Sequence, residues 1–238
     1  PRRHEDSGMS TNDRDVDVTL NGSPQCFAPG TTVADLVTQL AVRGRYAVEI
    51  NGNIVPRSTH PTHVIAVGDR IEVVAAIGGQ CLGGGFELAM GCHFRVALAD
   101  AQLGLPEVKI GLLPGATGTQ RLPRLVGLET ALNMIVGGAP VAAAKFAGTR
   151  LIDQIVEGDL AAGAVAFAEK VLAEQRPIQR VRDMKMKDAT GDAFMQFARN
   201  TVGGMSKHFP APGKCVEAVA LSLAKPFDEG VRLEREMF

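Results

Sequence analysis

The stretch Gly68-Asp-Arg-Ile-Glu-Val-Val-Ala-Ala-Ile-Gly-Gly-Gln-Cys-Leu-Gly-Gly-Gly-Phe-Glu87 decides the fold, and it supports two readings. From the left, Arg70 to Ile77 is the closing strand of a small domain that ends in a flexible pair, Gly78-Gly79. From the right, Val73 to Ile77 is a buried strand feeding a glycine loop, Gly83-Gly84-Gly85, which opens a helix carrying Glu87. A diglycine serves as a tail only when it is free, whereas a strand leading into a reactive loop must be tied down. Ownership of the join therefore sets the function.

Upstream of the join the pattern is rich in strands. Val16, Val18 and Leu20 alternate with polar residues, and Asn21-Gly22 supplies a hairpin turn towards a strand at Cys26-Phe27. Thr32-Val-Ala-Asp35 has the spacing of a capping box, with Val33, Leu36, Val37 and Leu40 on one face of the helix that follows. Val48 and Ile50 lead into a second turn at Asn51-Gly52, then Ile54-Val55 and a break at Pro56. Ile71, Val73 and Val74 close the unit.

Downstream, the residues carry chemistry. A helix over Phe86 to Cys92 points its first free N–H groups back at the glycine loop, where they suit a developing negative charge. Phe94 to Ala97 forms a short strand, and Leu105-Pro106-Glu107-Val108 puts a second carboxylate in a loop. Pro114-Gly115-Ala116-Thr117-Gly118-Thr119-Gln120-Arg121-Leu122-Pro123 is a turn-rich passage leading to a helix near Gly127. Any one of these features is weak; the ordered set is specific.

Two family resemblances follow from these motifs. Leu20-Asn21-Gly22, Thr32 to Leu36, Val48 to Gly52, Val55 to Ser58 and Gly68 to Val74 resemble the β-grasp, ubiquitin-like sulfur carrier proteins of thiamine thiazole biosynthesis. That resemblance implies a C-terminal diglycine, Gly78-Gly79, whose carboxylate is adenylated and converted to a thiocarboxylate. It also implies an adenylating enzyme and a thiazole synthase as partners. The set Gly83-Gly84-Gly85-x-Glu87, Pro106-Glu107-Val108 and Gly118-Thr-Gln-Arg-Leu-Pro123 resembles the crotonase superfamily, in particular the hydratase portion of multifunctional fatty-acid β-oxidation enzymes. It implies an acyl-CoA thioester substrate, with coenzyme A entering as part of that substrate rather than as a bound cofactor. By matching position, Gly84 N–H polarises the thioester carbonyl, with Gly83, Gly85 and Gly115 shaping the oxyanion and substrate site. Glu87 and Glu107 are then the catalytic pair. Thr117 stands where that family has glycine, His93 where aspartate is common, and Arg150 where glycine precedes the Ile152-Asp153 stretch. The residues from Pro226 to Glu236 resemble the helix that leads into a dehydrogenase domain, and no Gly-x-Gly-x-x-Gly fingerprint occurs.

The expected fold is α/β, an N-terminal ubiquitin-like β-grasp unit followed by an incomplete crotonase (ββα spiral) core. Residues 1–8 read as a disordered tail, 9–79 as the sulfur-carrier-like domain, and 80–238 as the partial crotonase domain with C-terminal helices from about 160. The leading function is enoyl-CoA hydratase/isomerase chemistry in fatty-acid metabolism, weakened by the absence of the family's first half, which supplies a second oxyanion donor. The alternatives are a sulfur carrier and a catalytically silent fusion. An incomplete core leaves apolar helix faces, so association into a homo-oligomer is expected.

Composition excludes several other classes. A net charge of -1 offers no electrostatic footprint for nucleic acid. No apolar run approaches the ~20 residues that span a bilayer. Cys26, Cys81, Cys92 and Cys215 form no C-x-x-C pair, so no disulfide framework or zinc site is indicated. His60 and His63 are at most half a metal site, in a proline-broken loop, and no metal is expected. Met184 and Met186 read as one face of a docking helix. The location read from these features is cytoplasmic.

Gln80 locks the Gly79 carboxylate in a peptide bond. Incubation of the intact chain with an adenylating enzyme and ATP is therefore expected to leave its mass unchanged. An acyl-adenylate or thiocarboxylate on Gly79 would contradict this.

Overall fold

In the computed structural model the described residues are 15–21, 23–39, 45–186, 191–204 and 208–238. The readings that fall on Met9, Gly22, Leu40 and the first eight residues lie outside them.

The chain begins with β1 (Val16–Leu20) and β2 (Ser23–Phe27), antiparallel from Val16 opposite Phe27 to Leu20 opposite Ser23. Helix α1 (Val33–Gln39) starts at a reciprocal cap. Thr32 N–H donates to Asp35 Oδ2 at 2.9 Å and Asp35 N–H returns to Thr32 Oγ1 at 3.2 Å, so two of the donors left open by helix geometry are satisfied. Strands β3 (Arg45–Ile50) and β4 (Asn53–Val55) form a hairpin through Asn51 and Gly52, both at positive φ (53° and 85°), as a primed two-residue turn requires.

Strand β5 (Arg70–Ile77) joins the two parts of the chain. Along one edge β3 pairs with it antiparallel, from Ile71 opposite Ile50 to Ala76 opposite Arg45. The other edge is divided. Arg70 and Ile71 pair in parallel with Thr19 and Leu20 of β1, while Val74 to Ile77 pair in parallel with Phe94 to Ala97 of β7 (Phe94–Leu98). Strand β10 (Gln154–Val156) adds to β7, completing a mixed seven-stranded sheet. A second sheet of three short strands joins β6 (Gln80–Leu82), β8 (Gln102–Gly104) and β9 (Val141–Ala142).

Both faces of β5 are covered. Val73, Ala75 and Ile77 enter a core that also holds Leu36 of α1 and Phe86 of α2 (Gly84–Gly91). Val74 and Ala76 face Leu160, Ala164 and Phe167 of α5 (Leu160–Ala173). Residues on both faces are apolar because neither meets water. Two exceptions lie opposite each other across the β3–β5 pair, Glu49 and Glu72, both buried. Glu72 is held by Nδ1 of the buried His93 at 2.5 Å, so the residue standing where aspartate is common ties β5 to the end of α2.

The remaining helices are α3 (Gly118–Val126), α4 (Leu128–Gly137), α6 (Gly191–Gly203), α7 (Ala211–Ala224) and α8 (Phe227–Met237). The expected helix near Gly127 is two helices, with Gly127 at φ 83° as the break between them. The first starts within the passage read as turns and holds Pro123 in its interior, which leaves the Thr119 carbonyl without its helical donor. Met184 and Met186 pack on the core from an extended segment after a 3-10 turn, not from a helix. His60 is buried, its Nε2 3.0 Å from Val55 O and its ring stacked on Tyr46. Among the described residues no cluster could hold a metal ion, and no helix is long and apolar enough to cross a membrane.

The diglycine is internal to this framework. Gly79 O accepts from Gln102 N–H at 2.7 Å, and Gly79 has φ 68°, a conformation costing an L side chain about 1–2 kcal/mol. Gly79→Ala is accordingly expected to lower unfolding free energy by about 1–2 kcal/mol with an unchanged slope in urea denaturation.

Candidate functional site

The site is assembled around the start of α2. Gly83 caps that helix at φ 56°; its N–H donates to Gly104 O at 2.9 Å, and its carbonyl accepts from Phe86 and Glu87 N–H. No side chain caps the helix, so the N–H groups at its tip are left for another acceptor. Gly84 and Gly85 are exposed, and a Cβ on either would meet nothing within 4 Å. A ligand can therefore reach this backbone.

Glu87, one helical step inward, is buried (3% exposed). Its Oε1 accepts N–H from Ala116 at 2.9 Å and from Gly118 at 2.6 Å. Gly118 is needed there because a Cβ would lie 2.7 Å from that oxygen. Glu107 arrives from a 3-10 turn, Pro106–Ile110, and its Oε1 lies 3.1 Å from where a Gly83 Cβ would be. Its Oε2 is buried and has no hydrogen-bond partner. Thus two glycines of the motifs admit the two carboxylates, one each.

Burial pushes the Glu87 carboxyl from an ordinary 4.5 up to about 7. The amide bonds from Gly118 and Ala116 oppose this, and the charges of Glu107 and Glu234 add to it. Burial also raises Glu107. A pair of this kind holds a proton near neutral pH and can exchange it, beside uncapped donors suited to an oxyanion.

The structure separates some residues that the sequence grouped together. Gly115 lies in the same turn, but its Cβ position is 2.8 Å from the Phe238 ring. Gly78 and Gly79 line a cavity of about 740 Å³ together with Gly85, Leu88 and Ala89 of α2 and Cys92 at its C-cap. Those four repeat at one-turn spacing, so the cavity lies on the face of α2 away from Glu87. Thr117 sits at φ 81°, which explains glycine at this place in the family; its Oγ1 accepts from Arg121 Nε at 2.6 Å.

One buried carboxylate beside the turn was not read as a site residue from the sequence. Glu234 of α8, fully buried, accepts Thr117 N–H at 3.0 Å and the Thr119 hydroxyl, bringing a third carboxylate to the turn. Its only sequence signal was an acidic position within an otherwise amphipathic terminal helix.

A helix tip with open donors and two carboxylates of raised proton affinity meet here. The comparisons with known proteins agree on the family. The chain matches the enoyl-CoA hydratase/isomerase model over residues 9–209 and belongs to that family. It is 38% identical over 202 residues to the human peroxisomal bifunctional enzyme, covering 80% of this chain and 27% of that protein. It is 33% identical over 228 residues to the fatty acid oxidation complex subunit alpha of Shewanella sp. (strain ANA-3), covering 93% and 31%. The chain thus spans less than a third of the length of these relatives. An enoyl-CoA hydratase structure from Bacillus anthracis aligns at 28% identity over 69% of this chain and 51% of that one, with a TM-score of 0.40.

The raised Glu87 carboxyl ties stability to pH. Unfolded, it loses its proton near 4.5; folded, near 7, so the folded chain binds more protons between those values and loses stability as pH rises through them. Glu87→Gln removes this loss. In urea unfolding the variant is expected to gain on the parent by about 3 kcal/mol between about pH 4 and pH 8. Parallel stability curves for the two proteins would contradict it.

Proposed function

We propose that this chain carries enoyl-CoA hydratase/isomerase chemistry on acyl-CoA thioesters of fatty-acid β-oxidation. The observation that carries the reading is the pair formed by the buried Glu87 and the half-buried Glu107 beside the uncapped tip of α2, with the Glu87 carboxyl near 7. In this reading Gly84 N–H takes the thioester oxygen and stabilises the enolate. The two carboxylates hold a water; its hydroxyl adds to the β-carbon while a proton passes to the α-carbon. Gly83 and Gly85 keep the loop open to substrate.

The reaction is weak in this chain. Among the described residues the amides on Glu87 come from Ala116 and Gly118, β1 to β4 pair into the sheet with β5, and the reading supplies one oxyanion donor, Gly84 N–H. Loss of one oxyanion donor lowers turnover by ~10²–10³.

A second reading has its own support. In the first 79 residues the strand order is β2-β1-β5-β3-β4 with β1 and β5 parallel, an order in keeping with a β-grasp unit ending at the diglycine. Under that reading residues 9–79 descend from a sulfur carrier, 80–238 are the hydratase part, and an adenylating enzyme or thiazole synthase would dock on the former. The tethered Gly79 argues that carriage itself is lost. The hydratase family match runs through this segment as well, which favours the first reading.

Crotonyl-CoA hydration, followed as loss of enoyl absorbance, tests the proposal. Slow hydration that disappears in both Glu87→Gln and Glu107→Gln is expected. Activity surviving both substitutions would overturn the site assignment, and an undiminished family rate would overturn the weakened mechanism.

A further inference from the structure

Glu234 comes to the site from the end of the chain, and its contacts interlock with those of Glu87. Along the turn, Ala116 N–H and Gly118 N–H donate to Glu87 Oε1. The amide between them, that of Thr117, points the opposite way and donates to Glu234 Oε1. Thr119 Oγ1 donates to the other oxygen of Glu234. The turn is therefore strung between two buried carboxylates that take successive amides in alternation.

The turn needs such a restraint. Thr117 is β-branched and stands at φ 81°, which costs of the order of 1–3 kcal/mol unless its surroundings hold it there. Helix α8 is placed to hold it: Gly230 leaves space for the Gln120 side chain, and Gln120 Nε2 donates to Ala218 O at 2.8 Å, tying α3 to α7.

We propose that Glu234 is a positioning residue: it holds the Ala116–Thr119 turn so that two amides stay on Glu87 and fix the orientation of that carboxyl. It touches no substrate, and the inference rests on the reading of Glu87 as an acid–base group. Two influences of opposite sign reach Glu87 through it. The Glu234 charge raises the proton affinity of Glu87, whereas the amide bonds it organises lower that affinity. Substitutions can separate them.

The full chain, labelled at its glutamate carboxyls, is titrated by NMR, with the Glu87 signal assigned by its loss in Glu87→Gln. Glu234→Gln keeps an oxygen for Thr117 and removes the charge, so the Glu87 midpoint moves down. Glu234→Asp keeps the charge and withdraws it from the turn; the amides slacken and the midpoint moves up. Glu234→Leu removes both, and release of the amides outweighs the lost charge, so the midpoint also moves up. A midpoint unmoved in Glu234→Gln, or lowered in Glu234→Asp, overturns the proposal even if Glu234→Leu does not fold. The readout requires no turnover. A parent chain that shows these shifts but does not hydrate crotonyl-CoA would sink the hydratase reading and leave the positioning role standing.

Discussion

Strand β5 has two edges, and three strands claim them. One edge is taken whole by β3; the other is divided, its first two residues given to β1 and its last four to β7. The division works because β1 and β7 both run parallel to β5 and never overlap along it. Side chains alternate between faces along the strand, so a one-residue slip would exchange Val73, Ala75 and Ile77 with Val74 and Ala76. Both faces are apolar, so the alternation alone would tolerate a slip. The pair at Glu72 would not: displaced, its carboxylate loses His93 and stays buried. A buried charge without a partner is strongly unfavourable, which lets one polar contact define the register of an apolar strand.

The same logic governs the site. A carboxylate is removed from water only where donors replace the water, and glycine supplies donors while leaving space for the oxygens. Gly83 and Gly118 make the space; Ala116, Thr117 and Gly118 make the bonds. The charges of Glu107 and Glu234 act on Glu87 as well, and their repulsion adds to burial in raising its carboxyl. The Glu107 oxygen without a partner is the place where the donor count falls short. That shortfall suits a group whose work is to accept a proton or hold a water.

Much of this was legible in the residues. The capping box at Thr32 and Asp35, the turn at Asn51-Gly52 and the start of β5 at Arg70 are local, each decided by a few neighbours in sequence, whereas α2, read from Phe86 to Cys92, takes in Gly84 and Gly85 of the loop and ends at Gly91. Glu87 and Glu107 were legible for a similar reason, since each sits inside a short motif whose glycines serve it. Glu234 was not. Its partners lie more than a hundred residues away, and only the packing of α8 on α3 brings them together. The neighbourhood of Gly115 in sequence is the turn, while its neighbour in space, the Phe238 ring, was not legible. Thr117 stood out as a departure from pattern, but the reason, a positive φ, belongs to the backbone.

The join itself was read as a choice between a free tail and a tied strand, and the backbone resolves it by geometry. Gly79 turns the chain at positive φ, and its carbonyl is bonded to β8, so the diglycine becomes the corner from which β6 departs. That corner also forms one wall of the large cavity, with one face of α2 as the other. Glu87 projects from the opposite face, so an occupant of the cavity would meet the helix without meeting its carboxylate. Of the exposed tip, Gly85 lines the cavity. The donors of this site and its acids are thus carried by one short helix but face different surroundings.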